Sequence, residues 1–420
     1  MEISSKDQIV NYFVNGVKKK LLIGVENEKF LFQEKNNFRA NYLDIKKVLE
    51  IFKKKYQWNE VKENENIIGL KIGGKSISLE PGNQIELSGA KLSNIHEVCS
   101  ESHDFQNKLD KICKEIGFKT VSIGYDPVTK LSDAPNNPKE RYKLMTEEMP
   151  KKGKLSLNMM YQTSGTQINL DYLSEDDFKK KFKIISYLTP ISIAIFANSA
   201  ILENKPSGYL SYRSKVWQST SRGGLPKIFL EDMDFEKYAD FVINYPLLFI
   251  YKNKIHKKSN NKTFGDFMKG KLSEVNNELP STKDLELHLS TIFTEVRLKK
   301  YIEIRSLDAC EWDCHCAGPA FYTGLIYGKL DEILDLIKDW KSEDVIKAYI
   351  EAPKKGLATE IKNKSILEWG KIFLNLSNKG LQDRNFENKD GKNETIFLKN
   401  VEQILQQNKT KAEKTLENLN

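Results

Sequence analysis

Four short segments of this chain, far apart in sequence, share one side-chain pattern. In Gly24 to Phe30 (GVENEKF), Glu26 and Glu28 fall on one face of an extended backbone, with Val25 and Asn27 on the other. Gln84, Glu86 and Ser88 share a face opposite Ile85 and Leu87. Gln167, Asn169 and Asp171 do the same opposite Ile168, Leu170 and Tyr172, and Tyr301, Glu303 and Arg305 opposite Ile302 and Ile304. A period of two does not serve a helix; it demands a sheet with one apolar side and one polar side. Within that sheet the pair Glu26 and Glu28 sets two like charges side by side, which repel.

The polar face has two readings at this level. It is an ordinary solvated face, or it is an oxygen-rich cleft for a hard cation, because its residues are Glu, Gln and Asn rather than Lys and Thr. Mg²⁺ takes oxygen ligands in near-octahedral geometry and keeps substrate phosphates in its shell. Cations stand near the same segments. Arg213 lies beside Tyr212 and Trp217, and Arg297, Lys299, Lys300 and Arg305 gather around the last strand. Guanidinium forks suit carboxylate and phosphate and screen charge that moves during group transfer. Lys299 also reads as part of a solvated helix end.

The rest of the chain frames this face. With 420 residues, 39% hydrophobic and 10% aromatic, it can bury a large core. Lys and Arg number 66 against 58 Asp and Glu, a net +8 that favours anionic ligands. No compact basic block with interleaved aromatics occurs, so nucleic-acid binding is not expected. Strands scattered among helices without a regular rhythm indicate an α+β fold. The uncharged run Ile184 to Leu202 is long enough to span a bilayer but carries Ser186, Thr189, Pro190, Ser192, Asn198 and Ser199, so it reads as a buried helix and no membrane is expected. Five cysteines show no disulfide framework, which suits a reducing cytoplasm. The stretch DAPNNPKERY reads as a loop, LSLNMMYQTSGTQINLDY as strand, and NKPSGYLSYRSKVWQSTSRGGLP as a loop holding Tyr212, Arg213 and Trp217. The group Asp308, Cys310, Asp313, Cys314, His315 and Cys316 fits no structural zinc spacing, and KIGGKS lacks the spacing of a phosphate loop. No Ser or Cys nucleophile is paired with a base.

Six collinear stretches carry a family likeness: GVENEKFLF, LEPGNQIELSGA, LSLNMMYQTSGTQINLDYLSEDDF, FANSAILENKPSGYLSYRSKVW, TFGDFMKGKL and HLSTIFTEVRLKKYIEIRSLDA. CAGPAFYTGLIY extends it, so that from about Gly24 to Tyr327 the chain resembles the plant and alphaproteobacterial type of glutamate–cysteine ligase. The resemblance implies a glutamine-synthetase-like fold, a curved antiparallel sheet forming a funnel with helices on its outer side. It implies one ligase domain over residues 1–380 and a polar, mainly helical tail over 381–420. The implied reaction joins the γ-carboxylate of L-glutamate to the amine of L-cysteine with ATP and Mg²⁺, through a γ-glutamyl phosphate, as the first step of glutathione synthesis. The protein would act in the cytoplasm as a monomer or homodimer.

Carried onto this chain, the resemblance makes Glu26, Glu28, Glu86 and Glu303 metal ligands, with Gln84 and Gln167 beside them. Arg213 would grip glutamate in a pocket shaped by Tyr212 and Trp217, and Thr166 and Asn169 would face the reacting centre. Arg305 would lie against the transferring phosphate, while Lys300 and Gln167 would help hold ATP. Departures stand at Ser164 and Gly165, where relatives carry a cysteine, at AGPAFY and at STSRGG. They leave open the acceptor amine and any redox control. A ligase for another amine, or a non-catalytic nucleotide-binding relative, are the alternatives.

Overall fold

The alternating segments assemble as one sheet in the computed structural model, which describes residues 2–419. Its strands are β1 (Ile23–Gln33), β2 (Asn59–Glu63), β3 (Asn66–Ile72), β4 (Lys75–Leu79), β5 (Ile85–Ser88), β6 (Phe118–Val121), β7 (Gly165–Leu170), β8 (Val296–Leu298) and β9 (Ile302–Asp308). They lie in the order β8, β9, β7, β1, β5, β4, β3, β2, with β6 on the far end of β1. Neighbours pair antiparallel and the sheet stays open. Register sets the chemistry of the polar face. Glu28 stands opposite Glu86, Glu26 lies between Ser88 and Gln167, and Glu303 lies between Asn169 and Arg297.

The other face is apolar: Ile23, Val25, Ile168, Leu170, Ile302 and Ile304 are buried in the main core. Helix Glu175–Ile195 covers β9, and Ser174 caps it by accepting the Asp177 amide, with three acidic residues in the first turn where the helix dipole favours them. Most of the uncharged run lies within this buried helix, and no described helix is long and apolar enough to cross a membrane. A second core joins helices Tyr42–Tyr56 and Ile95–Glu115 to β3, β4 and β5 through Phe52, Phe105, Leu70, Ile77 and Leu87.

Several sequence expectations need correcting. LSLNMMYQ contributes a helix, Ser156–Gln162, and the strand begins only at Gly165. Helix Glu140–Glu148 starts inside the stretch read as a loop, and Arg213 rides on a short helix, Tyr212–Gln218, capped by Ser211. Four of the five cysteines pair as disulfides, Cys99 with Cys316 and Cys310 with Cys314, each with Cα atoms 5.8 Å apart. The cysteine count therefore no longer argues for a reducing compartment. Beyond residue 380 the helix Ile366–Arg384 continues, and Leu398, Val401, Ile404, Leu405 and Ala412 are buried. Helical spacing puts these few apolar residues on one side of an otherwise polar segment.

Helices Ala317–Gly328 and Ile366–Arg384 approach so closely that glycine is required. A Cβ at Gly324 would lie 2.3 Å from the Ser377 carbonyl oxygen, and one at Gly380 would lie 2.0 Å from that of Gly324. Gly324→Val should therefore destabilise the fold by about 2–4 kcal/mol through overpacking. Thermal melts followed by circular dichroism should show a clear drop; a melt equal to that of the wild type would refute the close contact.

Candidate active site

A cleft opens above the polar face of β1, β5 and β7. Glu26, Glu28, Glu80, Gln84, Glu86 and Gln167 line it together with Arg141, Arg297, Arg305 and Trp217. Met145, Met159, Phe249 and Phe293 complete the walls. Three of these carboxylates are held by neutral donors. Glu28 accepts the Gly165 amide (2.7 Å) and the Gln167 side-chain amide (3.1 Å), and Glu26 accepts Asn169 Nδ2 (2.9 Å). Glu86 accepts the hydroxyls of Ser78 (3.0 Å) and Ser88 (2.8 Å).

Neutral donors do not cancel the charge. Burial pushes the Glu28 carboxyl up to about 7, Glu80 adds to the rise, and Arg213 opposes it. Glu86 is pushed well above the carboxylate range by burial and by Glu26, Glu80 and Glu28. Glu303 behaves in the opposite way. Burial alone would raise its carboxyl, but Arg297 and Lys299 more than offset that and hold it below the usual range. Arg297 Nε pairs with one Glu303 oxygen and Lys299 Nζ with the other at 2.8 Å.

The cationic wall is unusual for what it lacks. Arg213 is 2% exposed, lies behind the Trp217 ring (5.2 Å from guanidinium carbon to ring centroid), and donates only Nη2, to the Arg305 carbonyl at 2.9 Å. Its Nε and Nη1 have no acceptor, nor do Arg305 Nε, Arg141 Nε and Trp217 Nε1, all buried. Buried N–H groups are normally satisfied, so these atoms are spare donors beside the cleft. Gly165 permits the arrangement, because a Cβ there would lie 2.7 Å from Arg213 Nη2.

A second, shallower cleft adjoins Glu26 and Asn169 and is bordered by Lys91 and Tyr301. Lys18, Lys91, Lys299, Lys300 and Tyr301 line its continuation. Burial pushes the Lys18 amine down, Asp171 resists, and Lys91 and Lys300 push it further down. Lysines crowded in this way suit a polyanion.

The structure thus brings Glu26, Glu28, Glu86, Gln84, Gln167, Trp217 and Arg305 to one cleft and Asn169 and Lys300 to the adjoining one. It does not bring Thr166 there. Thr166 sits in register with Asn27 on the opposite side of the sheet and lies 3.3 Å from the Asn27 side chain, because neighbours on a strand alternate faces. Tyr212 packs edge-on against Tyr125 rather than lining the cleft. Arg213 and Glu303 lie just beneath its surface. Residues that sequence reasoning did not assign are Glu80, Arg141, Lys18 and Lys91. Glu80 was within reach, since it opens the EPGNQIE stretch that contains Gln84 and Glu86. Arg222, from the STSRGG departure, donates to the carbonyls of Thr291 and Pro246 and so ties down the chain near Phe293 and Phe249.

The donor set fits a divalent cation in part. Glu26, Glu28 and Glu86 are oxygen ligands whose mutual repulsion a cation would relieve. No three of the described His, Cys, Asp and Glu side chains converge into a complete site of their own. Mg²⁺ binds through one or two carboxylates plus substrate phosphates. Glu303 does not fit as it stands, because both its oxygens are taken by Arg297 and Lys299.

Residues 22–418 match the family model Glutamate-cysteine ligase family 2 (GCS2). The chain is 40% identical to glutamate–cysteine ligase A, chloroplastic, of Oryza sativa subsp. indica over 98% of this chain and 84% of that protein. It is 38% identical to the chloroplastic glutamate–cysteine ligase of Arabidopsis thaliana over 99% of this chain and 80% of that one. The fold is similar to a crystal structure of glutamate–cysteine ligase from Francisella tularensis in complex with AMP, with a TM-score of 0.58, 12% identity, and coverage of 96% of this chain and 85% of that one.

The raised Glu28 carboxyl makes a pH prediction. A carboxyl whose folded pKa exceeds its unfolded value stabilises the fold below the unfolded value, and that contribution is lost as pH rises through about 7. In metal-free buffer, Glu28→Gln should melt close to wild type at about pH 5 and above it at about pH 8. Mg²⁺ should raise the wild-type melt at the higher pH and leave that of Glu28→Gln unchanged. A variant that melts below wild type at high pH in chelator would sink the repulsion account.

Proposed function

The chain belongs to the glutamate–cysteine ligase family 2, and we propose that it joins the γ-carboxylate of L-glutamate to the amine of L-cysteine, using ATP and Mg²⁺. The observation that carries this reading is the mixed lining of the cleft: crowded carboxylates together with buried N–H donors that have no acceptor. Such a lining offers groups for cations and for anions, as a reaction between a phosphate donor and an amino-acid carboxylate requires.

On this reading the spare N–H groups of Arg213 and Arg305 hold carboxylate oxygens of glutamate against the Trp217 ring. Arg305, whose guanidinium lies 5.5 Å from the centroid of that ring, would meet the charge that develops on the transferred phosphoryl group. The γ-carboxylate oxygen bonds to the terminal phosphorus of ATP while the bond to ADP breaks. The acceptor amine then attacks the acyl carbon and phosphate leaves. Mg²⁺ held by one or two of Glu26, Glu28 and Glu86 together with the phosphates would neutralise phosphate charge. No protein nucleophile is needed, because positioning and electrostatics carry such transfers. Met145, Met159, Phe249 and Phe293 keep water from the acyl phosphate, and their soft, apolar surface beside Arg141 suits an acceptor with a thiol side chain and a carboxylate. The lysine-lined cleft takes the nucleotide. This chemistry is the first step of glutathione synthesis.

The test is phosphate release with ATP, Mg²⁺ and L-glutamate across a panel of amines. L-cysteine should give the highest kcat/KM; equal rates with unrelated amines would overturn the acceptor, and no turnover with any would overturn the reaction. Arg213→Ala should raise the KM for glutamate at least about tenfold, which corresponds to losing a charge-assisted contact. Lys91→Ala should raise the KM for ATP and leave that for glutamate unchanged.

A further inference from the structure

Asp308 takes no part in the chemistry above, yet it is tied to it. It ends β9, three residues after Arg305, and is 2% exposed. Its Oδ2 accepts the Asn198 amide (2.8 Å) and the Ser199 hydroxyl (2.6 Å), and its Oδ1 accepts the Ser211 hydroxyl (2.9 Å). Among the described residues Asp308 makes no ion pair within 4 Å. Its site is tight: a Cβ on Gly124 would lie 2.4 Å from the Asp308 carboxyl carbon.

The two hydroxyls that Asp308 holds are also the ones that fix the start of helix Tyr212–Gln218. Ser199 Oγ accepts the Arg213 amide at 3.1 Å, and Ser211 Oγ accepts the Ser214 amide at 3.2 Å. A serine hydroxyl has one hydrogen and two lone pairs. A carboxylate only accepts, so it takes the Ser199 hydrogen and competes with Ser214 Oγ (2.9 Å) for that of Ser211, leaving a lone pair on each hydroxyl for the backbone amide. An amide side chain in its place could donate into either hydroxyl and let it turn away. The far end of Arg213 is fixed separately, by Gly165, the Arg305 carbonyl and the Trp217 ring. Asp308 thus controls where Arg213 begins, and the cleft wall controls where it ends.

We propose that Asp308 is a positioning residue for the donor amino acid, aiming the Arg213 guanidinium through Ser199 and Ser211. The inference rests on the reading that Arg213 holds L-glutamate. Its reach is specific. Asp308 reaches the chemistry through the Arg213 helix start and through its charge near the Arg213 guanidinium, and both act on the glutamate side, so the nucleotide and acceptor sites should feel its loss far less.

The experiment uses the full chain and measures steady-state kinetics with glutamate, cysteine and ATP varied in turn. The variants are Asp308→Asn, Ser199→Ala, Ser211→Ala, Arg213→Ala and the double Asp308→Asn/Arg213→Ala, each with a thermal melt. Asp308→Asn should raise the KM for glutamate about tenfold, with the KM values for ATP and cysteine within about twofold of wild type. Each serine variant should give a smaller rise of the same selectivity. In the Arg213→Ala background, Asp308→Asn should add less than about twofold, because the two act through one contact. A rise in all three KM values together, or a full multiplicative effect in the double variant, overturns the proposal in favour of a general structural role. If Asp308→Asn does not fold, the two serine variants decide by the same criteria. An unchanged glutamate KM in Arg213→Ala defeats the Arg213 reading itself, whereas a rise there with flat Asp308 and serine variants defeats only this inference.

Discussion

The burial of Glu28 and Glu86 among further carboxylates is the constraint around which the site is arranged. Antiparallel register sets the two residues directly opposite each other on β1 and β5, and the buried apolar face beneath them leaves the strands no freedom to slip. The fold then treats its carboxylates unequally. Glu303 receives two cations of its own, Arg297 and Lys299, while Glu26, Glu28 and Glu86 receive only amides and hydroxyls. One side of the polar face is electrostatically complete and the other is not. That imbalance separates a binding site from a solvated sheet surface, since an ordinary surface would let its carboxylates reach water or a lysine.

The cationic wall mirrors this. Arg213 and Arg305 share one aromatic ring and are both buried, yet among the described residues neither forms an ion pair within 4 Å, although Arg305 does reach the Gln167 side chain. Burying an unpaired guanidinium is costly, and the cost is tolerable because Glu28, Glu295 and Asp308 lie within electrostatic range without consuming the N–H groups. The charges balance over the whole region while the hydrogen-bonding capacity stays open. Ligand recognition needs that separation: neutrality for folding and free donors for binding.

Much of this was legible in the sequence because a period of two is a strong signal. The four alternating segments became the central strands, and Glu26, Glu28, Glu86, Gln167 and Glu303 came to one face as their parity requires. Thr166 was misplaced through the same rule, since it is one residue from Gln167 and must point the other way. Helix Ser156–Gln162 reads poorly because its Met, Leu and Tyr residues suit strand and helix alike. Arg141 was hidden in a stretch rich in Pro and Asn that looked like a loop. Lys18 and Lys91 come from separate connections and meet only through the tertiary fold. The Cys99–Cys316 pair spans 217 residues, and no local spacing can announce it.

Gly165 shows how closely the two walls depend on each other. Its amide donates to Glu28 at 2.7 Å, so its backbone is fixed to the carboxylate wall. Its α-carbon abuts the Arg213 guanidinium, where an added Cβ would sit 2.7 to 3.1 Å from three of its atoms. Glycine is needed there for contact and not for backbone conformation, since no left-handed φ is involved. A side chain at 165 would have to displace either the arginine or the strand that carries Gln167. The departure from the wording of related sequences at Ser164 and Gly165 therefore falls at the point where the anionic and cationic halves of the cleft are spaced. The distance between the Glu28 carboxylate and the Arg213 guanidinium is set there by one hydrogen bond and one missing methyl group.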